Sequence, residues 1–415
     1  MPIHVLNRDK DMRQITAVKS EKHKKHIIWV IMLLAPIVGM AVDLIAPSLP
    51  AIAKGLDASA TMAKNVITIY LLGYAIGNFV AGFLTDAYGR KRLLRSATFG
   101  FFLASFLPVL FPNEQMLLLA RAFQGLFLGA QMVVCRATLS DILTAKELKS
   151  MGVLMGTMWG LGPVIGPVLG GYLQYYFDWQ AGFVFFSLVS FVMLIAVVRI
   201  VPETHTRPVP LRIATIKTNM IEVLKHRTFM GLVLLMGLVY SLIIIFNTLG
   251  PFLIQQQLHF SPAYFGRFAL MLGCAFLVAT IICRRLLKNI CGKRLVFLSL
   301  HVFLGLGVVA LIASYLFPLN IYFVGIASAA VFFLAGFIFP LSMGQGMAMF
   351  QHVAGTAAAV MYLINISITT LASLVSSFFN IQSAVPLLYI YVALQVLAVV
   401  VYWLMIRGGL KEAGK

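Results

Sequence analysis

The sequence predicts an all-α membrane protein with twelve transmembrane helices in two six-helix, pseudo-symmetric halves. Three observations predict it. Of 415 residues, 61% are apolar and only 11% charged, against roughly 25% charged in a soluble domain, so most of the surface must face lipid. The apolar runs do not alternate as barrel strands do, and 33 glycines suit helices packed backbone to backbone. Two loops also echo each other: Gly89-Arg90-Lys91-Arg92-Leu93 follows the second apolar run and Gly292-Lys293-Arg294-Leu295 the eighth.

Residues 1–26 form a polar, basic tail. It leads into an apolar run too long for a signal peptide and without a small-residue cleavage site, so the first span is expected to stay in the mature protein. A bilayer core takes about 20 apolar residues per helix. Runs of that length at 27–50, 60–84, 93–112, 115–142, 151–173 and 178–201 make the first half, 27–201. The polar segment 202–228, with three prolines and an amphipathic stretch at 211–224, is a central cytoplasmic loop. The second half, 229–406, holds runs at 229–254, 263–287, 295–317, 320–343, 353–379 and 385–406, followed by a tail at 407–415.

With a cytoplasmic N-terminus, every basic residue except Lys54, Lys64, Arg121 and Arg267 falls on the inner side, so both termini are read as cytoplasmic. The net charge of +19 therefore belongs to short loops, and the expected partner is the bilayer rather than nucleic acid. Four cysteines stand singly, without metal-ligand or CxxC spacing, and are read as packing residues. No phosphate-binding loop and no catalytic constellation occurs; no metal, cofactor or enzymatic activity is expected. Two repeats around a midplane cavity suit a transporter, because one rocking motion exposes a single site to either side.

Four segments carry chemistry-bearing residues. The first span contains Val42-Asp43-Leu44-Ile45-Ala46-Pro47-Ser48-Leu49-Pro50. The junction after the second reads Gly82-Phe83-Leu84-Thr85-Asp86-Ala87-Tyr88-Gly89-Arg90-Lys91-Arg92. The fourth span has Arg121-Ala122-Phe123-Gln124-Gly125 and, at its inner end, Arg136 and Asp141. The fifth carries Gly156, Gly160, Gly162, Pro163, Gly166, Pro167, Gly170 and Gly171. The junction resembles the signature loop of the major facilitator superfamily. The fourth span is similar to that family's Arg-x-x-Gln-Gly motif, and the fifth to the glycine-proline motif of its twelve-helix drug:proton antiporters. The first span resembles the bicyclomycin-resistance (Bcr/CflA) subfamily, with Ile45 and Ala46 where that pattern has an aromatic residue and leucine. The resemblance implies the major facilitator fold.

A lone carboxylate in hydrocarbon costs roughly 3 kcal/mol or more, so Asp43, the only acid deep in the first span, calls for a function. It is read as the proton carrier. Helical rise places Arg121 and Asp43 both about 10 Å from the outer surface, and Arg121 is expected to tune the carboxyl directly or through Gln124. Gly82, Asp86, Gly89, Arg90, Lys91, Arg136 and Asp141 are read as a conformational latch. By resemblance, Asp86 should face the start of the eleventh helix near residues 352–356. The glycines and prolines of the fifth span permit close packing and a bend, and the resemblance associates them with export and sealing against leak. Family geometry puts Tyr70, Tyr74, Asn78, Gln131, Tyr240, Phe246, Asn247 and Asn365 beside the substrate cavity.

The expected function is a monomeric, proton-driven exporter of drugs or small amphipathic metabolites in a bacterial inner membrane, working by alternating access. Its partners are the small-molecule substrate and protons. A proton-coupled importer of a small metabolite or siderophore and a non-transporting receptor or scaffold are the alternatives. Residues 229–406 contain no Asp or Glu at all, so proton coupling must rest on the first half.

Overall fold

The structure is a computed structural model and describes residues 20–205, 213–317, 319–350 and 353–408. Among them lie fourteen α-helices: α1 (Glu21–Met40), α2 (Leu49–Gly55), α3 (Ala60–Tyr88), α4 (Arg90–Leu110), α5 (Glu114–Ile142), α6 (Ala145–Tyr176), α7 (Ala181–Ile200), α8 (Ile213–Lys225), α9 (Arg227–Phe252), α10 (Pro262–Leu286), α11 (Gly292–Leu316), α12 (Ile321–Met349), α13 (Ala354–Ser377) and α14 (Val385–Val401). Eleven of the described helices are long and apolar enough to cross a membrane. The fifth expected span lies within α6, a helix of 32 residues.

The first span departs from expectation. Helix α1 stops at Met40, residues 41–45 form turns, and a 3-10 turn, Ala46–Ser48, leads into α2. The cause is local. Pro47 has no N–H to give the carbonyl of Asp43, and Pro50 none to give that of Ala46. The chain closes short bonds instead, Ile45 N and Ala46 N both donating to Val42 O at 3.2 and 3.1 Å. Asp43 thus sits in a break between two helices.

Backbone contacts divide the chain into two compact units. Among the described residues, one takes 20–41 with 73–163 and 180–205; the other takes 42–72 and 164–179 with those from 213 onward. In the first unit α4 packs on α5 and α7, and α1 packs on the same two helices. In the second, α9 packs on α12 and α13, α10 on α12, and α11 on α14, around a core that includes Leu235, Val296, Ala335 and Ile338. The loop helix α8 is pinned there too, with Val223 buried against Phe229 and Met361. Large apolar side chains such as Leu188 and Val309 stay exposed, the surface a lipid-facing bundle presents. The basic tail 1–19, part of the amphipathic stretch and most of the C-terminal tail lie outside the described residues.

Candidate functional site

Asp43, 4% exposed, is buried in the second unit. Its Oδ1 accepts a hydrogen bond from Asn247 Nδ2 of α9 at 2.7 Å. The break frees the segment from regular helical pairing, and α6 supports it from behind: a Cβ on Gly170 would collide with the backbone of Leu44. Gly171 and Gly266 repeat this between α6 and α10, facing the backbones of Pro262 and Pro167. In the first unit Gly162 faces Gly39 and Met40 of α1. The glycines of the fifth span therefore set the backbone separation of α6 from its neighbours, while Gly160 faces open space. Pro163 is half-buried and Gly166 buried on the same helix; the Cβ position of Gly156 lies outside the described residues.

Arg121 is fully buried in the first unit, and its Nη1 donates to Gln124 Oε1 at 2.9 Å. Gln124 Nε2 in turn donates to Ser105 Oγ of α4 at 2.8 Å. The same face of α5 places Gln131 against Thr98, whose hydroxyl donates to Oε1 at 3.2 Å. Sequence reasoning named the arginine and both glutamines but neither hydroxyl partner.

The expected latch is partly assembled by residues the sequence did not single out. Arg90 Nε donates to Asp141 Oδ2 at 3.1 Å, and its Nη1 to the carbonyl of Thr85. Thr204 donates to the same Asp141 oxygen at 2.9 Å. Glu203 caps α4, accepting from the backbone N–H groups of Arg90 at 2.8 Å and Lys91 at 3.1 Å, where a carboxylate complements the helix dipole. Gly89 is required twice over: its φ is +86°, and a Cβ would lie 2.6 Å from Glu203 Oε2. Gly82 faces open space and Arg136 is half-buried on α5. The side chain of Asp86 and residue His352 lie outside the described residues.

Of the cavity residues, Asn247 meets Asp43. Tyr70, Tyr74 and Asn365 are buried, Asn78 is half-buried, and Tyr240 lies beside Phe339 with ring centroids 5.7 Å apart. Phe246 is fully buried in a cluster with Phe265, Phe268 and Phe332.

A second buried polar group was missed. Lys64 of α3, 2% exposed, donates to the carbonyls of Phe379 at 2.6 Å and Ser377 at 3.4 Å, at the C-terminal end of α13 where a cation is favoured. Its Nζ lies 5.4 Å from the ring centre of Phe252. One turn on, Thr68 and Ser373 share a hydrogen bond of 2.8 Å. A lysine four residues into an apolar run was the only sequence signal.

Residues 31–377 match the family described as Major Facilitator Superfamily. The chain is 24% identical over 378 residues to the bicyclomycin resistance protein homolog of Haemophilus influenzae, covering 90% of this chain and 94% of that one. It is 25% identical over 399 residues to multidrug resistance protein D of Escherichia coli, covering 94% and 98%. A 29% identity to the uncharacterized MFS-type transporter YdgK of Bacillus subtilis extends over 59% of this chain and 62% of that protein. In three dimensions the chain superposes on the D-xylose-proton symporter with a TM-score of 0.73 at 14% identity, covering 92% of this chain and 98% of that one.

Proposed function

The chain belongs to the major facilitator superfamily, and from that premise we propose that it exports drugs or small amphipathic metabolites in exchange for protons, by alternating access. The observation that carries this reading is the buried Asp43 carboxylate, set in a helix break and held by one amide from α9. An ionised carboxylate accepts the Asn247 bond; a protonated one no longer attracts that amide as a charge. Proton loading therefore changes how firmly the broken segment holds α9. A substrate that competes for the same carboxylate expels the proton, which is the exchange an antiporter needs. The names of the bicyclomycin and multidrug resistance relatives support the export direction.

In this reading the chain is a monomer in a bacterial inner membrane with both termini cytoplasmic. The Lys64 and Thr68 bonds then fasten the outer ends of α3 and α13, and Arg90, Asp141 and Glu203 order the inner ends of α4 and α5. In the first unit Arg121 and Gln124 form a buried polar chain to Ser105, and in the second Tyr240 and Asn365 line the substrate path.

The test is proton release from the purified protein in detergent on adding lipophilic cations or neutral antibiotics, wild type against Asp43→Asn. Release in the wild type that the variant loses supports exchange at Asp43. Substrate binding without release from either protein overturns it. Uptake into inside-out but not right-side-out vesicles supports export, and the reverse pattern indicates import.

A further inference from the structure

A cleft of about 200 Å³ opens between α11, α12 and α14, away from every residue assigned above. Its walls are made mostly by small and apolar side chains, among them Phe303, Ala310, Ala327, Ala330 and Leu388, and Tyr391 of α14 also borders it. Val309 and Ile326 also border it and are 63% and 74% exposed, so the mouth opens on the lipid-facing surface. Gln395 of α14 also lines it. That side chain is 2% exposed, and neither Nε2 nor Oε1 has a hydrogen-bond partner among the described residues. Gly307 keeps its place open, because a Cβ there would fall on Gln395 Oε1.

An unsatisfied buried amide costs about 1–3 kcal/mol for each group left without a partner. In a cleft of this kind the cost is relieved by a molecule that brings both a hydrogen-bonding group and an apolar body. An apolar cavity of about 150 Å³ already accepts benzene, so this one takes a ring-sized or short branched body with one polar group. No charged side chain lines it, which disfavours a cation, and a carboxamide offers a donor and an acceptor, which suits a hydroxyl or amide.

We propose that this cleft is a binding site for neutral amphiphiles dissolved in the bilayer, with Gln395 as the polar anchor. The site takes its ligand sideways from the membrane and is independent of proton exchange at Asp43. An acyl chain of a phospholipid fits the walls but leaves the amide unsatisfied.

The experiment uses the full-length protein in phosphatidylcholine nanodiscs and two photoreactive probes: octanol carrying a diazirine on its third carbon, and the corresponding octane without the hydroxyl. The expected result is labelling of the cleft segments of α11, α12 and α14 by the alcohol, competed by excess octanol and about fivefold stronger than by the alkane, the worth of one neutral hydrogen bond. Gln395→Leu, which removes the polar anchor, should erase the alcohol's advantage. Ala330→Phe, which fills the cleft, should abolish labelling by both probes. Uniform labelling of all lipid-facing helices overturns the proposal. Equal labelling of the cleft by alcohol and alkane also overturns it and indicates a groove for acyl chains. Should Ala330→Phe fail to fold, the competition and the comparison of probes on the wild type decide between the same outcomes.

Discussion

Asn247 Nδ2 donates to Asp43 Oδ1 at 2.7 Å, tying the break in the first span to α9 across 204 positions of sequence. A hydrogen bond to a charged group is worth about 1.5–3 kcal/mol. If proton binding works through this bond, Asn247→Leu should slow transport driven by a pH gradient by about tenfold or more. Substrate exchange without a gradient should be largely retained. Initial rates in proteoliposomes measure both. Equal loss of the two rates would make Asn247 a substrate-binding residue, and no loss of either would make the bond idle.

Lys64 and Thr68 give a second, independent prediction. The hydroxyls of Thr68 and Ser373 are 2.8 Å apart, close enough that cysteines at both positions should form a disulfide once the four native cysteines are replaced. The cross-link should stop transport, and a reductant should restore it. Lys64→Gln, which loses the charge facing the Ser377 and Phe379 carbonyls, should lower the cross-linking yield by about threefold or more, consistent with loss of a bond worth about 1 kcal/mol net. An unchanged yield would show that Lys64 does not hold α3 to α13.

These two pairings mark what the sequence could and could not reveal. Span positions follow from hydropathy, which is a property of each segment alone. Arg90 with Asp141 was within reach because the expected latch already contained both. The break at residues 41–45 was also written locally, in Pro47 and Pro50, but apolar length alone reads 27–50 as one helix. Asn247 could be named only as one of eight polar or aromatic cavity residues. Its partner depends on how α9 packs, and no periodicity carries that. Glu203 was read as part of a polar loop, although it caps a helix whose first residue lies 113 positions earlier.

The glycines of α6 separate packing from open space within one motif. A Cβ on Gly170 meets the Leu44 backbone, so Gly170→Val should force α6 off the Asp43 segment at a cost of about 1–3 kcal/mol, and transport should fall with it. A Cβ on Gly160 meets nothing, so Gly160→Ala should stabilise α6 by about 0.5–1 kcal/mol. Thermal unfolding in detergent and proton leak into vesicles report the two effects. If Gly160→Ala raises leak while leaving stability intact, the motif seals through residues that packing alone does not explain.

Glu147 supplies an acid-range prediction outside the membrane. It accepts from both the N–H and the hydroxyl of Thr144, at 2.8 and 2.9 Å, a reciprocal cap on α6, and from Lys24 of α1 at 2.9 Å. The Lys24 bond, then the Thr144 backbone bond, draw its carboxyl from the ordinary 4.5 down to about 2. A carboxyl lowered in the folded state stabilises fully above its unfolded value and loses that share as pH falls through the folded one. Stability should therefore decline as pH drops from about 4.5 towards 2. Because the Glu147 side chain is 43% exposed, the ion-pair share should stay below about 1 kcal/mol and shrink with salt. Lys24→Met should flatten the decline, whereas Thr144→Ala should lower stability at neutral pH by about 1 kcal/mol through the lost cap. Unfolding midpoints by circular dichroism across this pH range check both. An acid decline as steep in Lys24→Met as in the wild type would assign the lowered carboxyl to the cap alone.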